Sequence, residues 1–197
     1  MDPIVKKALD ILSRDVKSLT TLFYFHKHEG TPLDRTLPLT GVAKTLFDHY
    51  ADAGNTGTGE DDLYSDTIVG AQLNKAGDKL EAQYGGVYVS SGTATRQIKI
   101  YFGGTAIFDT GALTLSLSSA WTAYVSIIRV SATVIRYSIS FTTEGAALAA
   151  YTAVGELTGL TLGSSNILKI TGEAAGVGAA TNDIVAKMGY VEFKPAA

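Results

Sequence analysis

From Leu63 onward, apolar side chains return at every second position in short runs, and glycine-bearing turns cut the runs apart. Ile98, Ile100 and Phe102 alternate with Gln97, Lys99 and Tyr101. Ile135, Tyr137, Ile139 and Phe141 alternate with Val134, Arg136, Ser138 and Ser140, and Trp121, Ala123, Val125 and Ile127 share one side of another run. A period of two sends successive side chains to opposite faces of a strand, whereas a helix needs a period near 3.6. Further runs fall at 63–69, 79–90, 105–109, 112–117, 147–153, 166–172 and 184–193. Ala76-Gly77-Asp78, Gly103-Gly104, Thr110-Gly111 and Gly163-Ser164-Ser165-Asn166 read as turns between runs. Roughly ten short strands at about twelve-residue spacing predict a mainly β fold, an antiparallel jelly-roll-like β-sandwich over residues 63–197.

Several of these strands are apolar on both sides. In 121–130 the second side carries Tyr124, Ile128 and Val130, and residues 146–154 are nearly all Ala, Leu, Tyr and Val. A monomeric antiparallel sandwich wets the outer side of each sheet. A second apolar side therefore predicts a surface shared between copies; the alternative is that long loops cover it. Charged residues make up 18% of the chain, below the roughly 25% of an average soluble protein. Lys+Arg is 16 against Asp+Glu 19, a net charge of -3, which provides no basic footprint for nucleic acid.

The start of the chain has a different period. Asp2-Pro3 is a helix start, an N-cap carboxylate followed by proline in the first turn. Val5, Leu9, Leu12, Val16, Leu19 and Phe23 then follow at alternating steps of four and three, a heptad seam, widened by Ile4, Ala8 and Ile11. Lys6, Lys7, Asp10, Arg14, Lys17 and Ser18 form the solvated face. A lone helix of this length is marginal in water, so residues 1–25 are expected as an α-helix in a short trimeric coiled coil; the alternative is an amphipathic helix packed on its own domain. Its charges exclude a signal peptide, and no stretch approaches the ~20 apolar residues of a membrane span. Residues 26–62 are turn-rich and polar, with a short helix expected from Val42 to Ala51 and a Gly-rich linker at 53–60, before the sandwich of 63–197.

The chain has no Cys, which removes disulfides, thiolate metal sites and thiol nucleophiles. Its three His, His26, His28 and His49, lie in the first quarter, so no Ser-His-Asp constellation can form within the remainder. His26 takes the next seam position after Phe23, and residues i and i+2 of an extended chain point the same way. With three chains, His26 and His28 would then supply an octahedral nitrogen set for iron or a similar transition metal ion on the three-fold axis; the alternative is a solvated pair. Glu60-Asp61-Asp62 with Asp66 offers hard oxygen ligands for calcium but lacks the spacing of a calcium loop, so a solvated acidic edge is expected. Gly54-Asn55-Thr56-Gly57-Thr58-Gly59 lacks the lysine and strand-to-helix setting of a phosphate loop. Asp109, Glu144, Glu156, Glu173 and Asp183 are available for glycoside hydrolysis, with nothing to pair any two. Trp121 and Tyr84, Tyr88, Tyr101 and Tyr124, the tyrosines in the exposed phase of their strands, are candidates for stacking on sugars, with core or interface packing the more common role.

Four stretches carry a resemblance: Ala76–Ala82, Arg96–Gly111, Tyr151–Leu160 and Ile184–Glu192. They resemble segments of structural proteins of tailed bacteriophages, the trimeric virion proteins of head fibres, decorations and tail-fibre knobs. The resemblance implies a trimeric jelly-roll knob carried on a fibre, spike or capsid surface. His26-Lys27-His28 resembles the metal-binding element of phage trimeric fibres and spikes, though it is not repeated along this chain. The expectation is a non-enzymatic homotrimer of the virion, a capsid decoration or cement protein or a head fibre. Residues up to about 60 would dock on the major capsid protein or tail components, with the knob outward. A short chain opening directly on the coil, without a long shaft, favours decoration. The alternative is a tail-fibre or receptor-binding knob for a cell-surface glycan. A glycan-cleaving enzyme would need two carboxylates facing across a groove. Neither nucleic acid nor membrane is expected as a partner.

Overall fold

The computed structural model describes residues 43–89, 93–114, 118–144 and 149–196. The chain divides into two units, Met1–Leu39 and Thr40–Ala197, and all described residues belong to the second. The seam residues Val5, Leu9, Leu12, Val16, Leu19 and Phe23, and the pair His26 and His28, lie outside the described residues.

Twelve strands run in chain order: β1 (Lys44–His49), β2 (Ala53–Gly54), β3 (Gly59–Ile68), β4 (Lys79–Tyr88), β5 (Thr95–Phe102), β6 (Thr105–Asp109), β7 (Leu113–Thr114), β8 (Ser119–Arg129), β9 (Ile135–Thr143), β10 (Ala149–Leu157), β11 (Asn166–Ala175) and β12 (Ile184–Lys194). They build two antiparallel sheets. One has the order β1-β12-β4-β8-β9-β10, with β2 also on β12; the other has the order β3-β11-β5-β6, with β7 also on β5. The mainly β, antiparallel architecture expected from the period of two is what the described residues form, and they contain no helix. None therefore forms a helix long and apolar enough to cross a membrane.

The inward faces share one core. Ile98, Ile100 and Phe102 of β5, which the alternation put on one side, are fully buried, as are Ile135 and Phe141 of β9 and Ile127 of β8. Phe108 of β6 meets Phe141 of β9 across the sandwich at 5.6 Å between ring centroids, and Phe141 stacks on Trp121 at 6.2 Å. The β5–β6 hairpin closes through Gly103 and Gly104, with φ of 57° and 85°. Positive φ at both central residues is the mirror-image turn whose twist matches the flanking strands, and it explains the glycine pair.

Residues 42–62 differ from their expected form. Lys44–His49 is a strand, not part of a helix, because the edge of β12 takes it as a partner from Lys44↔Phe193 to His49↔Gly189. The i, i+4 spacing of Val42, Leu46 and Tyr50 fits a helix equally well locally; pairing decides. Leu46 and Phe47 pack against the core from this strand. The glycine-rich stretch at 53–60 contains β2 and the start of β3. A Cβ on Gly54 would lie 2.1 Å from Asn182 Oδ1, so this glycine serves a close backbone approach. Asn55 beside it is fully buried: its amide donates to the carbonyls of Gly57 and Ala180, both at 2.9 Å, and its Oδ1 accepts from Ile184 N.

Candidate functional site

The two outer faces are chemically opposite. On the β3-β11-β5-β6 sheet, charges are matched within the face. Lys99 reaches Glu60 at 2.7 Å and Glu173 at 3.4 Å, and Lys169 reaches Asp62 at 2.7 Å. Thr171 donates to Glu60, Gln97 donates to Asp109 at 2.6 Å, and the Lys169 ammonium lies 5.1 Å from the centre of the Tyr101 ring. Burial pushes the Glu60 carboxyl upward, but hydrogen bonds from Lys99, Tyr101 and Thr171 together hold it below the ordinary value. The same bond to Glu60 holds the Lys99 ammonium well above the usual lysine range. Exposed pairs of this kind contribute little each, yet they leave the charges of this face paired with one another.

The outer face of the seven-stranded sheet is built differently. Its exposed apolar side chains are Tyr124 and Ile128 of β8, Val154 of β10 and Met188 of β12, with Val154 81% exposed. Ladder register sets Tyr190, Gln83, Tyr124 and Ser140 in one row across β12, β4, β8 and β9, and Glu192, Glu81, Ser126 and Ser138 in the next. Between these rows lies an open hollow of about 260 Å³, lined by Glu81, Tyr124, Ser126, Ser138, Ser140 and Tyr190 among others. Glu81 is held by Lys194 and Lys79, whose hydrogen bonds keep its carboxyl below the ordinary value. A second hollow, of about 520 Å³, runs along the open side of the sandwich between β6 and β10, lined by Ile107, Phe108, Tyr151 and Ala153 among others.

Of the five aromatics singled out for sugars, Trp121, Tyr84 and Tyr88 are buried core residues. The expectation that placed these two tyrosines in the exposed phase is corrected: Tyr84 and Tyr88 fall on the inward phase of β4, with Leu80 and Ala82. Tyr101 is half-buried under Lys169. Tyr124 alone of the five is truly exposed, at 52%. Tyr190 was missed because a bulge between Ala186 and Met188 shifts the phase of β12 and so turns Tyr190 outward. The Gly189-Tyr190-Val191-Glu192 alternation was the available signal.

The acidic candidates do not converge. Glu60 faces Lys99, Asp61 accepts from Thr56, Asp62 faces Lys169, and Asp66 lies on the opposite side of β3 against His49. Among the described residues no group of three or more His, Asp or Glu is placed to hold a metal ion. Asp109 accepts from Gln97 and Gly111 N, Glu156 meets Arg136, Glu173 meets Lys99, and Asp183 accepts from Ala180 N. His49 Nε2 lies 3.0 Å from each Asp66 oxygen, linking β1 in one sheet to β3 in the other. The His49 ring stacks on Tyr64 at 4.1 Å and 9°. Burial raises the Asp66 carboxyl above its ordinary value, against the opposing bond from His49.

No family model and no curated protein matches the chain. Among solved structures, it is similar to the CBM2 module of the evolved Dit of Lactobacillus casei BL23 phage J-1, with a TM-score of 0.36 and 6% identity over 81% of this chain and 99% of that one. The infectious bursal disease virus Gx strain structure gives a TM-score of 0.27 and 15% identity over 79% of this chain and 40% of that one. The VP2 subviral particle of infectious bursal disease virus gives 0.24 and 12% over 84% and 46%. With every TM-score below 0.5, none of these likenesses bears on what the chain does.

Proposed function

We propose that the chain is a non-enzymatic structural protein of a tailed-phage virion, a homotrimer that decorates or cements the capsid or forms a head fibre. The sandwich is read as a jelly roll: β1-β12-β4-β8 opposes β3-β11-β5-β6, with the β9–β10 hairpin extending the first sheet. The observation that carries self-assembly is β10. It is a nine-residue edge strand whose outer side pairs with no other described strand. It has no Lys and no Pro, and its one charge, Glu156, is matched by Arg136. Natural edges are blunted by charge, proline or bulges unless something covers them. A second copy is the occupant that a homotrimer supplies. Light scattering on the eluting full-length protein is expected to give a trimer, and a monomer would overturn the assembly. Particles lacking the protein are expected to burst at lower temperature, and antibody labelling is expected to place it on the capsid; labelling at the tail would replace decoration with the second reading.

That second reading is a tail-fibre or receptor-binding knob for a cell-surface glycan. It is favoured by exposed Tyr124 beside a hydroxyl-lined hollow. Purified protein that blocks phage adsorption supports it; undiminished adsorption argues for decoration. A polysaccharide-cleaving role is not favoured, since each of the two hollows is lined by a single carboxylate, Asp109 in one and Glu81 in the other.

A further inference from the structure

We infer that the hollow on the outer face of the seven-stranded sheet is a binding site for a neutral saccharide, held between Tyr124 and Tyr190. The inference rests on the glycan reading and names its site and ligand class. Three observations carry it.

The first is spacing. Tyr190 and Tyr124 share a row with Gln83 between them, so two strand separations part them. That is about 10 Å at the backbone, wide enough for a sugar ring to lie in the hollow with an aromatic side chain on either flank. Tyrosine suits this work, with an apolar ring face for the C–H side of a pyranose and a hydroxyl for its rim.

The second is unused hydrogen-bonding capacity. Ser126, Ser138 and Ser140 line the hollow, and none bonds another side chain or backbone group among the described residues. Each hydroxyl both donates and accepts, the pattern that sugar hydroxyls require. One row further, Thr122 and Thr142 satisfy each other at 2.7 Å. The three serine hydroxyls of the hollow are therefore open to a ligand.

The third is charge. Glu81, the carboxylate lining the hollow, meets Lys79 and Lys194, and Glu192 beside it lies 4.0 Å from Lys194, so two carboxylates face two ammoniums. No unmatched charge faces an acidic or basic sugar, which selects a neutral one. The volume of about 260 Å³ lies just under the roughly 300–1,000 Å³ of pockets that enclose drug-sized ligands. An open hollow of this size fits one sugar unit of a longer chain lying across the sheet.

The test is binding of the full-length protein to an array of neutral and charged bacterial-surface oligosaccharides, followed by titration calorimetry on the best binder. Wild type is expected to bind a neutral oligosaccharide with little salt dependence. Tyr124→Ala and Tyr190→Ala are each expected to weaken binding by about tenfold, while Tyr101→Ala on the opposite face leaves it unchanged. Unaltered thermal melting of the variants keeps a folding defect out of the result. Undiminished binding by both variants would overturn the site and leave the glycan reading standing. No binding by wild type to any saccharide would overturn both. Binding only to charged saccharides, or variants that change oligomeric state in place of saccharide affinity, would also overturn the site.

Discussion

Asn55 stitches the β2–β3 turn to the start of β12 with three side-chain hydrogen bonds, and it is fully buried. Asn55→Ala leaves the Ile184 N–H and the carbonyls of Gly57 and Ala180 short of a partner. Unsatisfied buried groups cost about 1–3 kcal/mol each, so urea unfolding is expected to show a loss of about 3 kcal/mol. Asp66 gives a pH signature. Its folded pKa is raised by burial, so the folded state binds its proton more tightly than the unfolded state does. The stability this contributes is complete in acid below the unfolded pKa and is lost as pH rises through the raised folded value. Asp66→Asn, which can still accept from His49 Nε2, is expected to be more stable than wild type at neutral pH, the advantage vanishing in acid. Urea midpoints of both proteins across that range check the sign. Neither residue was legible as a contact in the sequence. Asn55 sat in a stretch whose composition is that of a linker, and its partners Ala180 and Ile184 are supplied by the far end of the chain.

At the scale of elements, period two located the strands because one face of each sheet is dry, and turn glycines such as Gly103-Gly104 marked their ends. Partner choice was not legible, and it is partner choice that makes a strand of Lys44–His49. Phase failed where it was assumed for Tyr84 and Tyr88, and a bulge shifts it along β12, which hid Tyr190 and so half of the candidate hollow. The edge strand β10 yields the prediction at this scale. Val154 is exposed on it, at 81%, beside Ser138 of β9. Val154→Lys puts an unmatched charge on an edge that has none, which is how natural sheets prevent edge-to-edge pairing. Substitution of an exposed residue usually changes folding stability by no more than about 0.5 kcal/mol. Melting is therefore expected to be unchanged, while light scattering shows a smaller fraction of the assembled form at a given concentration.

For the whole molecule, the question is which contacts hold copies together and which hold one copy folded. The sandwich core is internal to a single chain, since Phe108, Trp121, Phe141 and Ile127 are buried with no second copy present. The seam of Val5, Leu9, Leu12, Val16, Leu19 and Phe23 is expected to act between chains. Burying one such side chain contributes about 1.5–3 kcal/mol, and a lone helix of this length is marginal in water, which is why the proposed trimer places the seam between chains. Leu12→Asp combined with Val16→Asp places two carboxylates at adjacent seam positions in every chain, six around a three-fold axis, with no cation in the seam to pair them. The full-length variant is expected to elute as a monomer while keeping the main thermal transition within about 2 °C of wild type, a shift of about 0.5–1 kcal/mol in a domain of this size. A trimer that survives both substitutions would leave β10 as the contact that holds it without the seam, and Val154→Lys in the same background would then dissociate it. A variant that loses its main transition would mean that the seam folds against the sandwich of its own chain.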